Sequence, residues 1–319
     1  MVLNMNYAQA AVLAVQQEMT ADPRVVVMGE DVGRGGIFGQ YKGLQERFGR
    51  DRVIDTPISE AAIMGSGVGM ALAGLRPVVE MRVVDFALCG MDELVNQAAK
   101  NRYMFGGQGR VPLVARMPSG IWDASAAQHS QSLEAWFAHL PGVVVVCPSS
   151  AQDNYSLLLA AMQSDDPVVY IEHKTLWGLE GPVDADLQVP LGRAATLRSG
   201  ADLTLVSWSR QVHVCAQACA QLAAQGIEVE LIDLRTLWPW DREAVLQSCA
   251  KTGRLLVVHE AIQAAGFGAE IVATVAEHLP CKVKHLGAPR IPVGYAPVLE
   301  AQARVSAEVI TQAAQHLMA

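Results

Sequence analysis

The chain has 319 residues, enough for two domains of ordinary size, each with its own hydrophobic core. Its 32 acidic and 24 basic residues give a net charge of −8, which argues against nucleic acid or an anionic membrane as a partner. Hydrophobic residues make up 51% of the chain. A large buried contact with another chain explains this fraction, and so does a large α/β core with many buried strands; composition favours neither.

The six cysteines are scattered along the chain, and no two of them form a Cys-x-x-Cys pair. They predict reduced thiols in a cytoplasmic protein and no zinc site. The first 19 residues have no basic region before their apolar positions, so they predict an amphipathic helix rather than a signal peptide. The longest apolar stretch, residues 64–75, is too short to span a bilayer, and we expect a soluble protein.

Short apolar runs, each followed by a helix-like or loop segment, recur along the chain. In its first part these runs are residues 25–28, 77–81, 111–115, 143–147 and 168–171. After a polar stretch at residues 179–192 the pattern restarts, with apolar runs at 203–208, 227–232 and 254–259 and helical spacing at 212–225, 242–250 and 268–278. This alternation predicts an α/β protein with parallel sheets covered on both faces. A boundary near residue 190 predicts a larger domain, residues 1–190, and a smaller one, residues 191–319.

Two stretches of the first domain place acids at the ends of elements. The run at residues 25–28 leads into Glu30 and Asp31, at a strand end where α/β sheets carry functional groups, although acids also end strands for solubility. Ser59 is a plausible N-cap, and Glu60 then lies in the first turn of a helix, where a carboxylate complements the helix dipole. The glycines at residues 65–69 lie inside this helix, which excludes a dinucleotide-binding fingerprint. Taken alone, Glu60 favours a structural interpretation.

Two histidines are further candidates. His129 lies among small and polar residues after the predicted loop at residues 117–120, and it is a candidate for proton transfer, although lone histidines are more often structural. In the second domain, His259 and Glu260 lie at the end of a predicted strand, where open α/β sheets bind ligands. A solvated strand end that packs on a neighbour is the favoured interpretation there.

Several motifs together resemble one family. Residues 55–60 (DTPISE) with the helix that follows, residues 98–107 (AAKNRYMFGG) and residues 126–131 (AAQHSQ) are similar to β subunits of thiamine-dependent 2-oxo acid and acetoin dehydrogenases. The likeness continues at residues 141–143, 166–169, 229–236 and 251–255, so it spans nearly the whole chain in the right order. It implies a pyrimidine-binding thiamine diphosphate domain followed by a transketolase C-terminal-like domain.

The resemblance also implies partners and cofactors. Such β subunits assemble as two α and two β chains, with thiamine diphosphate at the α/β interface and Mg2+ held by the α subunit. The complex acts on a small-molecule substrate and transfers the product to the lipoyl groups of an acyltransferase core. No Gly-Asp-Gly segment occurs among the 319 residues, which agrees with a chain that holds only the pyrimidine half of the site. The chain is therefore expected to be inactive without an α subunit.

Four residues match functional positions of the family. Glu60 matches the glutamate that hydrogen-bonds the aminopyrimidine ring, and His129 matches a channel-lining histidine that transfers protons during attack on the substrate or during reductive acylation. Tyr103 matches an aromatic residue that contacts the cofactor, and Glu30 matches an acid in a proton relay between paired sites.

Some members of the family also bind potassium, largely through backbone carbonyls. The matching positions here are Leu113, Ala161, Met162, Ser164 and Asp166. The family commonly has Asp where this chain has Ser164 and Asn where it has Asp166, so the sequence departs from the pattern at two positions.

The substrate is less well specified than the family. Residues 102–107 and 172–181 look closest to acetoin dehydrogenase β subunits, but pyruvate-specific members share much of both, and branched-chain members share residues 212–214. The resemblance favours acetoin or pyruvate. Two alternatives keep the fold: a transketolase-like enzyme half, which needs histidines and arginines that bind sugar phosphates, and a non-catalytic docking subunit.

Overall fold

The computed structural model describes residues 2–319, and the chain divides into two compact units. The first unit comprises the residues up to Ser119 together with Trp136–Leu191, and the second comprises Gly120–Ala135 together with Gly192–Ala319. The sequence-based division at residue 190 assigned Gly120–Ala135 to the first domain. Composition and periodicity do not reveal which distant residues a loop contacts, so this exchange was not anticipated.

The first unit begins with strand β1 (Val2–Asn6) and helix α1 (Tyr7–Ala21) and continues as alternating strands and helices. The elements that follow are β2 (Val25–Gly29), α2 (Leu44–Phe48), β3 (Val53–Asp55), α3 (Glu60–Leu72), β4 (Arg76–Glu80), α4 (Ala99–Met104), β5 (Val114–Ser119), α5 (Glu134–Ala138), β6 (Val144–Val146), α6 (Ala151–Gln163), β7 (Val168–His173) and β8 (Glu180–Asp184). Helix α5 begins inside the segment Gly120–Ala135.

Six strands of the first unit form a parallel sheet in the order β6-β7-β5-β4-β2-β3. All five residues of β2 are buried, because β-branched side chains suit a strand that is covered on both faces. Helices α1 and α6 pack in one core with side chains that include Val78. Successive side chains of a strand point to opposite faces, and on the opposite face Val79 meets Gly67 of α3. β1 and β8 pair antiparallel in a separate two-stranded sheet.

The second unit is a smaller α/β arrangement. Its elements are β9 (Ala195–Arg198), β10 (Leu203–Ser207), α7 (Gln211–Ala223), β11 (Val229–Asp233), β12 (Thr236–Trp238), α8 (Arg242–Thr252), β13 (Arg254–Ile262), α9 (Gly268–His278), β14 (Lys282–Ala288), α10 (Pro297–Gln302) and α11 (Ala307–Met318). Five strands form a sheet in the order β14-β13-β10-β11-β9, parallel except for β9. Side chains of α7 and α11 pack against this sheet in one core.

The predicted apolar runs all contain strands, and the helices predicted in the second domain lie where the spacing placed them. The predicted N-terminal helix begins only at Tyr7. Three local predictions were wrong. Residues 117–119 continue β5 instead of forming a loop, residues 2–6 form β1 instead of the start of a helix, and β13 extends to Ile262. In each case hydrogen bonding to a strand that is distant in sequence overrides local composition. Within residues 2–319 no helix combines the length and the apolar character needed to cross a membrane.

Candidate functional site

The carboxyl ends of three neighbouring parallel strands meet at one edge of the first unit's sheet. Gly29, at the end of β2, is in register with Asp55 at the end of β3 and with Glu80 at the end of β4. Glu30 and Asp31 follow β2 directly. Open α/β sheets bind their ligands outside the carboxyl ends of the strands, so this edge is the candidate site.

Glu60 is the first residue of α3, and it is half-buried. Ser59 occupies the N-cap position as predicted, but its side chain makes no capping hydrogen bond. The helix is held instead by close packing: a Cβ atom added to Gly67 would lie 2.6 Å from Val79 and 2.7 Å from Leu113. The small residues of α3 therefore fix the place of Glu60, whose carboxylate complements the positive end of the helix dipole.

Glu30 and Glu60 interact electrostatically. Partial burial raises the pKa of Glu30 and the Glu60 carboxylate raises it further, whereas Arg82 opposes the shift. The shift favours the protonated form of Glu30, because ionising it next to another carboxylate is unfavourable. The structure thus brings together two of the residues that the sequence singled out.

Asp31, which follows Glu30 in the chain, is paired with two arginines. Hydrogen bonds from Arg34 and Arg82 hold the pKa of Asp31 below its usual value, and Arg82 Nη1 lies 2.9 Å from Asp31 Oδ2. The φ angle of Asp31 is 59°, in the left-handed region that few residues other than glycine adopt, although aspartate does so more readily than most. Charge pairs therefore fix the turn that carries Glu30.

Tyr103 lies in the last turn of α4 and is 90% exposed. Met104 and Phe105 are exposed beside it, and Ile58, just before α3, is 78% exposed. Exposed large apolar side chains at successive positions, as at residues 103–105, indicate contact with another molecule. Tyr103 therefore has the accessibility that contact with a cofactor or a partner chain requires.

A buried charge network adjoins the site, and sequence reasoning missed it. Arg116 and Glu172 are fully buried and pair through two hydrogen bonds of 2.8 and 2.7 Å. The Arg116 guanidinium lies 4.8 Å from the centre of the Tyr41 ring, and the Tyr41 hydroxyl donates to Glu80 at 2.6 Å. Burial raises the pKa of Glu80 to about 7, against the opposing effects of Arg116 and Tyr41. The available signal was a charged residue within one predicted buried strand, Glu80, and charged residues directly after two others, Arg116 and Glu172.

His129 belongs to the second unit, where it ends a short 3-10 helix, Ala127–His129. Its side chain is exposed, and its backbone N–H donates to the Ala126 carbonyl at 3.4 Å. The Ser125 hydroxyl donates to the His129 carbonyl at 3.2 Å and lies 3.0 Å from Ser130 Oγ. An exposed imidazole on a hydrogen-bonded turn has the access and the fixed backbone that proton transfer requires.

The five carbonyl groups matched to a potassium site already accept hydrogen bonds from the protein. The Arg76 guanidinium donates to the carbonyls of Met162 at 2.9 Å and Ser164 at 2.6 Å. Backbone N–H groups donate to Leu113 and Ala161, and the Ser164 hydroxyl donates to Asp166. The positive charge of Arg76 at two of the five oxygens does not favour a second cation here.

His259 and Glu260 are buried within β13, so the predicted solvated strand end is wrong. Burial lowers the pKa of His259 to about 4, and its Nδ1 lies 3.0 Å from the Ala261 carbonyl oxygen. The neutral ring stacks on Trp208 with centroids 5.3 Å apart. His259 is therefore part of the core of the second unit, whereas Glu260 contacts the segment that carries His129.

Comparisons with known proteins match two family models, one after the other along the chain. Residues 4–178 match the family model of the transketolase pyrimidine binding domain, and residues 192–310 match that of the transketolase C-terminal domain. Among solved structures, the inactive β4 tetramer of a split-gene transketolase has a TM-score of 0.84 at 20% identity, with 98% of this chain and 99% of that chain covered. At this identity the likeness shows a shared fold.

Relatives of higher identity cover nearly the whole chain. Acetoin:2,6-dichlorophenolindophenol oxidoreductase subunit beta of Cupriavidus necator is 42% identical, with 96% of this chain and 95% of the relative covered. The 2-oxoisovalerate dehydrogenase subunit beta of Bacillus subtilis is 40% identical, with 98% of each chain covered. Pyruvate dehydrogenase E1 component subunit beta-1, mitochondrial, of Arabidopsis thaliana is 42% identical, with 95% and 86% covered.

Proposed function

We propose a catalytic role in a shared site for this chain, starting from the premise that it belongs to the β-subunit family of the acetoin and 2-oxo acid dehydrogenases. Membership of this family implies thiamine diphosphate as cofactor and an α subunit as partner. The finer proposal is that this chain supplies the pyrimidine half of the thiamine diphosphate site, with Glu60 as its central residue. The substrate is then acetoin or a 2-oxo acid, and the product passes to lipoyl groups.

The observation that carries this proposal is the placement of Glu60 and Glu30 at the carboxyl edge of the sheet. Thiamine diphosphate, when bound, supplies the carbon nucleophile that attacks the substrate. The Glu60 carboxyl group is half-buried at a helix N-terminus, where it can hydrogen-bond the aminopyrimidine ring and hold a proton there. The raised pKa of Glu30 suits it to accept or release a proton beside Glu60.

His129 and Tyr103 take supporting roles in the proposal. The exposed imidazole of His129 transfers protons to and from the substrate or the lipoyl group, since an imidazole can both donate and accept a proton. Tyr103 presents an almost fully exposed ring to the cofactor. The apolar side chains beside Tyr103 give an α subunit a surface to cover, as in an assembly of two α and two β chains around an acyltransferase core.

The remaining assignments concern the metal ions and the location of the protein. No Gly-Asp-Gly segment is present, so we assign Mg2+ and the diphosphate to the α subunit. A structural potassium ion stays a prediction, and the positive charge of Arg76, which donates to two of the five carbonyl groups, argues against it. A cytoplasmic location stays a prediction, since the plant relative's name places that protein in mitochondria.

Co-expression with an α subunit tests the proposal. The mixture, given thiamine diphosphate and Mg2+, is assayed with acetoin, pyruvate and 2-oxoisovalerate and with 2,6-dichlorophenolindophenol as electron acceptor. We expect activity with one of these substrates from the complex and none from either chain alone. Turnover by the isolated β chain would refute the shared site. A stable complex that is inactive with all three substrates would favour the docking-subunit alternative.

A further inference from the structure

The segment Gly120–Ala135, which carries His129, is held by one buried carboxylate of the second unit. Glu260 Oε1 accepts a hydrogen bond from the Ile121 backbone N–H at 2.8 Å and from the Ser132 hydroxyl at 3.3 Å. These two contacts lie near opposite ends of the segment. Next to these contacts, the Gly120 N–H donates to the Gln131 carbonyl at 2.9 Å and joins the two ends of the loop. Glu260 therefore contacts both ends of the loop in which His129 lies.

Further charged side chains of the second unit surround this contact. Glu260 Oε2 lies 3.6 Å from Arg210 Nη1 and 4.0 Å from Arg304 Nη1. Arg304 also donates to the Ile121 carbonyl at 3.3 Å and to Glu300 at 2.7 Å. Two arginines thus orient Glu260, and one of them also contacts the segment. Glu260 and Arg304 together bind the backbone N–H and the carbonyl of Ile121, at the start of the loop.

The middle of the segment has an unfavourable backbone that needs such support. Asp123, Ala124 and Ala126 have φ angles of 46°, 54° and 60°, and Ala126 combines its φ with a ψ of −171°, a region that normally only glycine adopts. Glu300 accepts a hydrogen bond from the Ala124 N–H at 2.7 Å, which fixes one of these residues. Conformations of this kind persist only where surrounding contacts enforce them. Without those contacts the loop would relax and move His129.

We propose that Glu260 is a positioning residue for His129, acting through the backbone of the loop and not through contact with the substrate. This inference rests on the proposed function of His129. It accounts for a buried glutamate that the sequence linked only to a strand end. The carboxylate serves by its charge, which pairs with Arg210 and Arg304, and by its acceptor oxygen, which binds the loop.

Two measurements on the α/β complex test this inference. Glu260→Ala should expose the backbone amides of residues 121–132 to faster hydrogen exchange, because the Ile121 N–H loses its acceptor. It should also lower kcat about 10- to 100-fold with little change in KM, since displaced catalytic groups cost rate rather than affinity. Glu260→Gln keeps the acceptor oxygen and should show a smaller loss. Should Glu260→Ala fail to fold or assemble, Glu260→Gln decides by the same two measurements.

Glu230→Ala is the matched control, since Glu230 is similarly buried in the same unit but pairs with Lys251. We expect it to leave both the exchange of residues 121–132 and kcat unchanged. Unchanged exchange in both Glu260 variants would overturn the inference, as would an equal loss in the control.

The double variant separates this inference from the proposed function. If Glu260 acts through His129, Glu260→Ala should lower kcat no further in a His129→Ala background. An additive loss would assign Glu260 a merely structural role and refute the inference. Full activity of His129→Ala alone would refute the proposed role of His129, and the exchange measurement would still report on the loop.

Discussion

Glu60 and Glu80 lie in the same unit and show how differently one residue type can be placed. Glu60 is half-buried at the start of α3, beside Glu30. Glu80 is fully surrounded at the end of β4, where Tyr41 and Gln40 donate hydrogen bonds to it at 2.6 and 3.1 Å. Glu60 is accessible enough to bind a ligand. Glu80 is buried, and its carboxyl group contacts only neighbouring protein groups. The role of a glutamate thus depends on whether its carboxyl group already has protein partners or can still contact a ligand.

The largest expected effect is on turnover, at Glu60. Glu60→Gln in the α/β complex should lower kcat roughly 10²- to 10⁴-fold, since a positioned proton-transfer group contributes about this much. The stability of the chain should change little, because a half-exposed substitution usually shifts it by less than about 0.5 kcal/mol. Steady-state kinetics and thermal unfolding measure the two quantities.

Glu46→Gln is the control for that experiment, because Glu46 is also an acid in the first turn of a helix of the first unit and is exposed. It should leave kcat unchanged. Normal turnover by Glu60→Gln would favour the docking-subunit alternative. It would also show that the accessibility of Glu60 serves no catalytic role.

The next effect concerns stability and pH, at Glu80. Its pKa is about 7 in the folded chain against an ordinary value of 4.5, so protonated Glu80 stabilises the fold fully below pH 4.5. That contribution, up to about 3 kcal/mol, is lost as pH rises through 7. Glu80→Gln cannot ionise, so it should gain stability relative to the wild type on going from pH 5 to pH 8.

Urea unfolding of both chains at pH 5 and pH 8 measures this difference. Arg116 and Glu172 stay paired in the variant, and Gln retains an oxygen that accepts from Tyr41. Parallel pH dependences in the two chains would show that Glu80 does not titrate in this range and would weaken the contrast with Glu60.

The smallest expected effect is on stability, at the glycines of α3, the helix that begins with Glu60. Gly67→Ala places a methyl group 2.6 Å from Val79, and overpacking of this kind should destabilise the chain by roughly 1–3 kcal/mol. Gly69→Ala in the same helix meets nothing within 4 Å and should stabilise it by roughly 0.5–1 kcal/mol. Thermal unfolding compares the two, and equal effects would mean that α3 is not held by close packing.

The comparison also explains which parts of the site were predictable. The position of Glu60 followed from local signals, namely a potential N-cap and a run of small residues, and the structure has the helix at that place. The buried charge network did not follow from local signals, because Arg116 and Glu172 are 56 positions apart and come into contact only when β5 pairs with β7. The functional roles of Glu60, His129, Tyr103 and Glu30 stay predictions.

The sequence by itself determined the α/β class, most strand and helix positions and, through its motifs, the family. These properties are encoded by neighbouring residues, since periodicity and capping act over a few positions. Only the tertiary structure decided that Gly120–Ala135 joins the second unit, that burial raises the pKa of Glu80 and that Glu260 contacts the loop of His129. Each depends on groups brought together from distant positions, 139 apart for Ile121 and Glu260, where burial and hydrogen bonding set the energies.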